Sequence, residues 1–256
     1  MKEQYKLLKG DMLIEIKSIE DSSVDLIITD PPYGVNYKGG TFDDSEYAVD
    51  VNVPKWFNEW YRVLKNDKYL FIFAGVKTLH RWIQYGISAG FTYKNILATR
   101  SFNNGSIAPK NNFGFQFQPI LVFSKGDGAS FNDVDFIPTS DLWLKDKRNK
   151  NPKQYTYEYP NFIKTEWAYA TAKVASSKYH PNEKNVELTE FLVKLVTSEN
   201  EVVLDTFMGS GTTGIAALNC NRYFIGIELE ETYFDTAEKR IKNKCWQMNL
   251  IVLYYM

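Results

Sequence analysis

The chain has 256 residues, a formal net charge of −1 and 16% aromatic residues, with 17 Tyr and 17 Phe. That length suits one sizeable α/β domain with an insertion or two small domains, and the near-zero charge excludes a chain-wide basic footprint for nucleic acid. Cys220 and Cys245 lack metal-ligand spacing, no signal segment opens the chain and no apolar run is long enough for a bilayer, so a reduced cytoplasmic protein without metal or membrane is expected.

Tyr5 to Leu8 predicts a short first strand that ends at Gly10-Asp11. Asp11 at that point reads first as a helix cap, because Met12, Ile16 and Ile19 follow at helical spacing. Val24-Asp25-Leu26-Ile27-Ile28 is short, β-branched and apolar, the pattern of a buried strand in a parallel sheet. It stops at Thr29-Asp30-Pro31-Pro32-Tyr33-Gly34. Two prolines remove two N–H donors and fix φ, so neither strand nor helix continues. What remains is a rigid loop at the carboxyl end of a strand, where open α/β sheets bind ligands. Residues 35–52 are polar and predict a loop beside that corner, suited to a lid.

Val53 to Leu64 predicts a helix, with Trp56, Phe57, Trp60 and Val63 on its core face. Tyr69 to Phe73 reads as a strand, Thr78 to Ala89 as a helix ended by Gly90, and Phe91 to Thr99 and Gln118 to Ser124 as further strands. Ser101 to Phe117, rich in Asn and Gly, is too long for a tight hairpin and predicts a functional loop. Residues 125–178 lose hydrophobic periodicity. From Lys145 to Lys178 there are eight basic and three acidic residues, interleaved with Tyr155, Tyr157, Tyr159, Phe162, Trp167 and Tyr169. Basic residues suit phosphates, and aromatics and Asn suit bases.

Pattern returns with an amphipathic helix from Val186 to Val196. Glu201 to Asp205 then predicts a strand, Thr206 to Gly214 a glycine-rich turn, and the helix that follows runs through Leu218. Arg222 to Glu228 is the next strand and Glu230 to Lys242 the next helix. Strand–helix–strand units thus stand on both sides of residues 125–178, which predicts an α/β fold.

Two constellations carry chemistry. At the first, Asp30 offers carboxylate oxygens, the Pro31 carbonyl a second acceptor and Tyr33 a flat ring. Converging acceptors beside a stacking face suit a planar –NH2 group, such as the exocyclic amine of a nucleobase. At the second, Asp205 ends a strand, and Gly209, Gly211 and Gly214 form a G-x-G-x-x-G turn into a helix that opens with Thr212-Thr213. Glu228 closes the next strand, where an acid can hydrogen-bond ribose. The turn lacks a Gly-Lys-Ser/Thr ending, which excludes a P-loop.

Together these motifs resemble the S-adenosylmethionine-dependent DNA amino-methyltransferases of the permuted β type, in which the catalytic motif precedes the cofactor motif. The resemblance covers nearly all of the chain except residues 125–178. It implies a doubly wound, mostly parallel seven-stranded Rossmann-like sheet, circularly permuted, built from residues 1–124 and 179–256, with 125–178 inserted as the target-recognition segment. It implies a catalytic set of Asp30, Pro31, Pro32 and Tyr33. It implies that S-adenosylmethionine is held by Asp11, Lys184, Asp205, Phe207, Gly209, Ser210, Gly211, Thr212, Thr213 and Glu228. His180 reads as structural. Thr206 stands where the family commonly carries proline, so a slightly looser turn is expected there.

The implied substrate is duplex DNA with the target base flipped out. Asp rather than Ser before the prolines favours adenine N6, with cytosine N4 as the alternative. Transfer to cytosine carbon 5 would need an activated cysteine, and neither Cys220 nor Cys245 lies in such a loop. Two readings from other classes remain: a nicotinamide-dependent oxidoreductase, which leaves the Asp30 corner unexplained, and a catalytically silent DNA-binding regulator. A restriction endonuclease partner and a homodimer are both compatible with the sequence.

Overall fold

The computed structural model describes residues 4–34, 45–100, 117–132, 134, 162–163 and 184–254. The first half runs β1 (Tyr5–Lys9), α1 (Met12–Glu15), a 3-10 turn (Ile16–Ser18), β2 (Val24–Thr29), α2 (Glu46–Val63), β3 (Leu64–Phe73), α3 (Leu79–Ser88), β4 (Thr92–Arg100) and β5 (Phe117–Ser124). A two-residue strand, β6 (Phe162–Ile163), precedes α4 (Val186–Val196), β7 (Val202–Asp205), α5 (Thr212–Asn219), β8 (Tyr223–Glu228) and α6 (Glu231–Tyr254).

The strands form one sheet in the order β1-β8-β7-β2-β3-β5-β4-β6. β5 is antiparallel to both its neighbours, and every other pairing is parallel. The expected seven-stranded, mostly parallel sheet is therefore present. Two residues from the segment expected as an insertion add an eighth strand at its edge. β2 and β7 are neighbours at the centre (Ile27 beside Leu204), yet the chain leaves β2 toward β3 and leaves β7 toward β8. Strand order reverses between them, and in open α/β sheets the crevice at such a switch point receives the ligand.

Alternation along the central strands divides the core. Ile27, Leu70, Ile72, Leu121 and Phe123 face a cluster with Trp56, Phe57, Trp60 and Trp82 of α2 and α3. Leu26, Ile28, Phe71, Ile120 and Val122 face the opposite cluster, with Leu192, Leu218 and Ile241 of α4, α5 and α6. Burial on both faces explains why these strands read as continuous apolar runs rather than alternating ones.

Two buried charges show how such groups are held by hydrogen bonds. Asp25, 3% exposed, accepts from Lys65 (2.8 Å) and from the Val202 backbone N–H (3.0 Å), linking β2, β3 and β7. Lys125 donates to the carbonyls of Tyr61 (2.9 Å) and Leu64 (2.7 Å), and burial pulls its pKa down.

Two helices are longer than their patterns predict. α2 begins at Glu46, so 46–52 is helix where a polar loop was expected. Pro54 looks like a first-turn residue but lies in the third turn, and Asp50 pairs with Arg81 of α3 (2.6 Å) to hold the upstream turns. α6 continues past Lys242 to Tyr254, about three turns beyond its expected end. Residues 35–44 and 101–116, both expected as loops, lie outside the described residues, as do most of 125–178 and His180. No helix of the described residues is long and apolar enough to cross a membrane.

Candidate active site

The switch point brings the two constellations together. Asp30 follows the last residue of β2, Asp205 ends β7, and the hydroxyls of Thr29 and Thr206 share a hydrogen bond (3.2 Å) across that junction. Trp60 Nε1 of α2 donates to the same Thr206 oxygen (3.0 Å). The Thr29 hydroxyl lies near the Asp205 carboxyl and opposes the rise of its pKa. The Trp60 N–H and the Thr29 hydroxyl thus meet on the Thr206 hydroxyl, beside the Asp205 carboxyl. All four side chains are buried. The Thr206 hydroxyl, where the family commonly carries proline, is a two-sided hydrogen-bond node. Thr206→Val leaves the Trp60 N–H without its acceptor and is expected to cost about 1–3 kcal/mol of stability, measurable by denaturant titration.

Asp205 accepts from the Phe207 N–H (3.1 Å) and the Thr213 hydroxyl (2.7 Å). Burial nevertheless dominates and pushes its carboxyl up to about 7, with the nearby Asp30 charge adding to the rise. Phe207 packs edge-on against Trp56 (centroids 5.0 Å apart). Arg240 of α6 donates to the Ser210 carbonyl (2.8 Å) and hydroxyl (2.9 Å), fixing the turn from behind.

The glycines of the turn divide their work. Gly211 caps α5 with φ +85°, and a Cβ there would stand 3.0 Å from the Ala237 Cβ. A Cβ at Gly214 would meet Ile241 and Phe224 at 2.7 Å. Both therefore permit close approach of α5 to α6 and β8. Gly209 (φ +51°) instead donates its N–H to Glu228 Oε2 (2.8 Å), while the Glu230 N–H holds Oε1 (2.8 Å). Burial raises the Glu228 pKa despite these donors. Asp11, on the neighbouring strand end, caps α1 through the Leu13 N–H (2.8 Å), and Gly10 donates to the Glu228 carbonyl (3.0 Å). Leu229, 54% exposed beside Glu228, adds an apolar face that no sequence motif signals.

On the Asp30 side, Tyr33 donates its hydroxyl to Asp30 Oδ1, and Gln118 of β5 donates to the Tyr33 oxygen (2.7 Å). Lys184 lies 2.5 Å from Asp30 Oδ2, with its ammonium 5.0 Å from the centre of the Phe73 ring. Lys184, expected at the methionine end of the cofactor, thus has its charge on the Asp30 corner. Gln118 carried no motif and becomes visible only because β5 runs antiparallel beside β3.

Carboxylates dominate this edge: Asp30, Asp205 and Glu228 lie along it, with Asp11 at its far end. Such a donor set fits a nucleoside bearing a cationic group and hydroxyls, and opposes a pyrophosphate. Burial pushes both cysteine thiols up, so neither is an activated nucleophile.

Comparison with known proteins decides the family. The profile of the N6/N4 DNA methylases matches residues 24–239, which span both constellations. The chain belongs to this DNA methylase family. Among its relatives, the DNA adenine methyltransferase YhdJ of Escherichia coli K12 is 30% identical, covering 93% of this chain and 83% of the relative. The type II methyltransferase M.HindIII of Haemophilus influenzae is 28% identical, covering 94% and 97%. The crystal structure of the M1.HpyAVI–SAM complex superposes on this DNA methyltransferase with a TM-score of 0.63 at 26% identity, covering 92% of this chain and 99% of that one.

Proposed function

We propose that this DNA methyltransferase transfers a methyl group from S-adenosylmethionine to the exocyclic N6 amine of adenine in duplex DNA, at one recognition sequence. The observation that carries the reading is the position of Asp30. It leads an Asp-Pro-Pro-Tyr corner at the switch point, one hydrogen-bonded threonine pair away from the cofactor-side acid Asp205. The adenine assignment rests on Asp at the head of that corner, and the relative YhdJ is itself named for adenine.

Asp205 and Glu228 would hold the cofactor, which would supply the methyl group as an electrophile. The protein prepares the nucleophile. Asp30 and the Pro31 carbonyl accept the two amine N–H groups, which frees the nitrogen lone pair from the ring. Pro32 keeps the corner rigid, and the Tyr33 ring offers a face for stacking. As the amine nitrogen takes up the methyl group, Asp30 would receive the proton that the nitrogen gives up. Phe207, Gly209, Ser210, Gly211, Thr212 and Thr213 shape the methionine end, while Glu228 holds the ribose and Asp11 faces the adenine of the cofactor. Residues 125–178 read the DNA sequence with the base flipped out, in the bacterial or phage-infected cytoplasm. A cognate endonuclease and a homodimer belong to the same proposal.

Sequencing DNA from cells that express the protein, with detection of modified bases, tests base and site together. N6-methyladenine at one short motif is the expected result. N4-methylcytosine at that motif would overturn the adenine assignment.

A further inference from the structure

Both oxygens of the Asp30 carboxylate carry a partner before any ligand is considered. Tyr33, itself held by Gln118, takes Oδ1, and Lys184 takes Oδ2 at 2.5 Å. An amine gripped by Asp30 needs one of those oxygens. Tyr33 is part of the same rigid corner and is braced from β5. Lys184 instead sits one residue before the N-cap of α4, on a flexible four-carbon stem, and its second contact is the Phe73 ring face. Of the two partners, Lys184 is the one built to leave.

We propose that Lys184 is a positioning residue for Asp30: a place-holding cation that neutralises the catalytic carboxylate until the positively charged cofactor displaces it. This rests on the methyl-transfer reading above. The electrophilic sulfonium must approach a nitrogen that Asp30 holds, so it and the Lys184 ammonium compete for one carboxylate field. Two like charges beside one acid oppose each other, and the opposition is reciprocal. Once Lys184 withdraws, the full charge of Asp30 is available to the amine. Asp30 is thereby competent for the base only after the cofactor is in place, which imposes an order of binding, cofactor before base.

S-adenosylmethionine and S-adenosylhomocysteine differ at the sulfur by a methyl group and a positive charge, while sharing adenosine, ammonium and carboxylate. Their affinities, measured by calorimetry on the full chain, therefore isolate the sulfonium. Lys184→Gln is expected to tighten S-adenosylmethionine about fivefold, the scale of a partly exposed ion pair, and to leave S-adenosylhomocysteine within about twofold. Lys184→Arg, which keeps the charge, is expected to restore the wild-type ratio and controls for folding. If both ligands move by the same factor, Lys184 holds a group common to both and the place-holder role is wrong. An unchanged ratio, or an Arg variant that behaves like Gln, overturns it equally. Should the wild-type chain bind neither ligand, the methyl-transfer reading falls, and this inference with it.

Discussion

Asp30→Ala is expected to lower methyl transfer by roughly 10³-fold or more, the scale of losing a group that stabilises developing charge and receives a proton in the transition state. Cofactor affinity is expected to stay within several-fold. The separation follows from the geometry. Asp30 belongs to the β2 corner, whereas the glycine turn is fixed by its own contacts: Arg240 on Ser210, Gly209 on Glu228 and Phe207 on Asp205. Single-turnover transfer assays and calorimetry on the same preparation measure the two quantities. Loss of both by equal factors would show that Asp30 supports the fold or the cofactor rather than the chemistry.

Asp205→Asn is expected to move stability and cofactor affinity in opposite directions. In the folded protein burial lifts the Asp205 carboxyl from its ordinary 3.8 to about 7. Between those values the folded state holds a proton that the unfolded chain has released. The associated stability is full below about 4, declines as pH rises and is gone above about 7. At pH 8 the wild-type protein therefore carries a buried carboxylate that an amide would relieve. Asp205→Asn is expected to raise the unfolding free energy at pH 8 by on the order of 2–4 kcal/mol and to flatten its pH dependence between 4 and 7.

In the proposed function, the same substitution removes a charge that would face a cationic cofactor. S-adenosylmethionine affinity is expected to fall at least about tenfold, as for a hydrogen bond to a charged group. In the wild type that affinity is expected to rise as pH passes through about 7, with a proton released on binding, and to lose this dependence in Asp205→Asn. Melting curves across pH, with and without cofactor, test both halves. A variant that is destabilised at pH 8 would contradict the account of Asp205.

Much of this architecture is legible in the chain because burial on both faces writes the strands as unbroken apolar runs. Val24–Ile28, Tyr69–Phe73 and Gln118–Ser124 are read that way, and Gly90 and Asp205 mark their element ends through φ and charge. The parts that are not legible depend on tertiary placement. Gln118 reaches Tyr33 only through the antiparallel insertion of β5, 85 positions further along the chain. Lys184 meets Asp30 across the sheet edge from a distant helix start. Thr206 reads as a departure from a pattern, while its partners Trp60 and Thr29 come from other elements and carry no local signal. Gly211 and Gly214 read as members of a G-x-G-x-x-G turn, and the need for glycine there to let α5 pack on Ala237, Ile241 and Phe224 shows only in the fold. α2 passes through Pro54 because α3 holds its upstream turns, a contact invisible in the local pattern.

The central claim is that the Asp30 corner and the Asp205–Gly211 cradle act on one methyl group. It is tested most directly by incubating the purified protein with duplex DNA and S-adenosylmethionine labelled in its methyl group, then identifying the labelled nucleoside by mass spectrometry. The account predicts label in N6-methyladenine, absent when Asp30→Ala replaces the wild type at saturating cofactor. Label in RNA or protein alone, or undiminished with Asp30→Ala, would contradict it, whereas label in N4-methylcytosine would overturn only the adenine assignment.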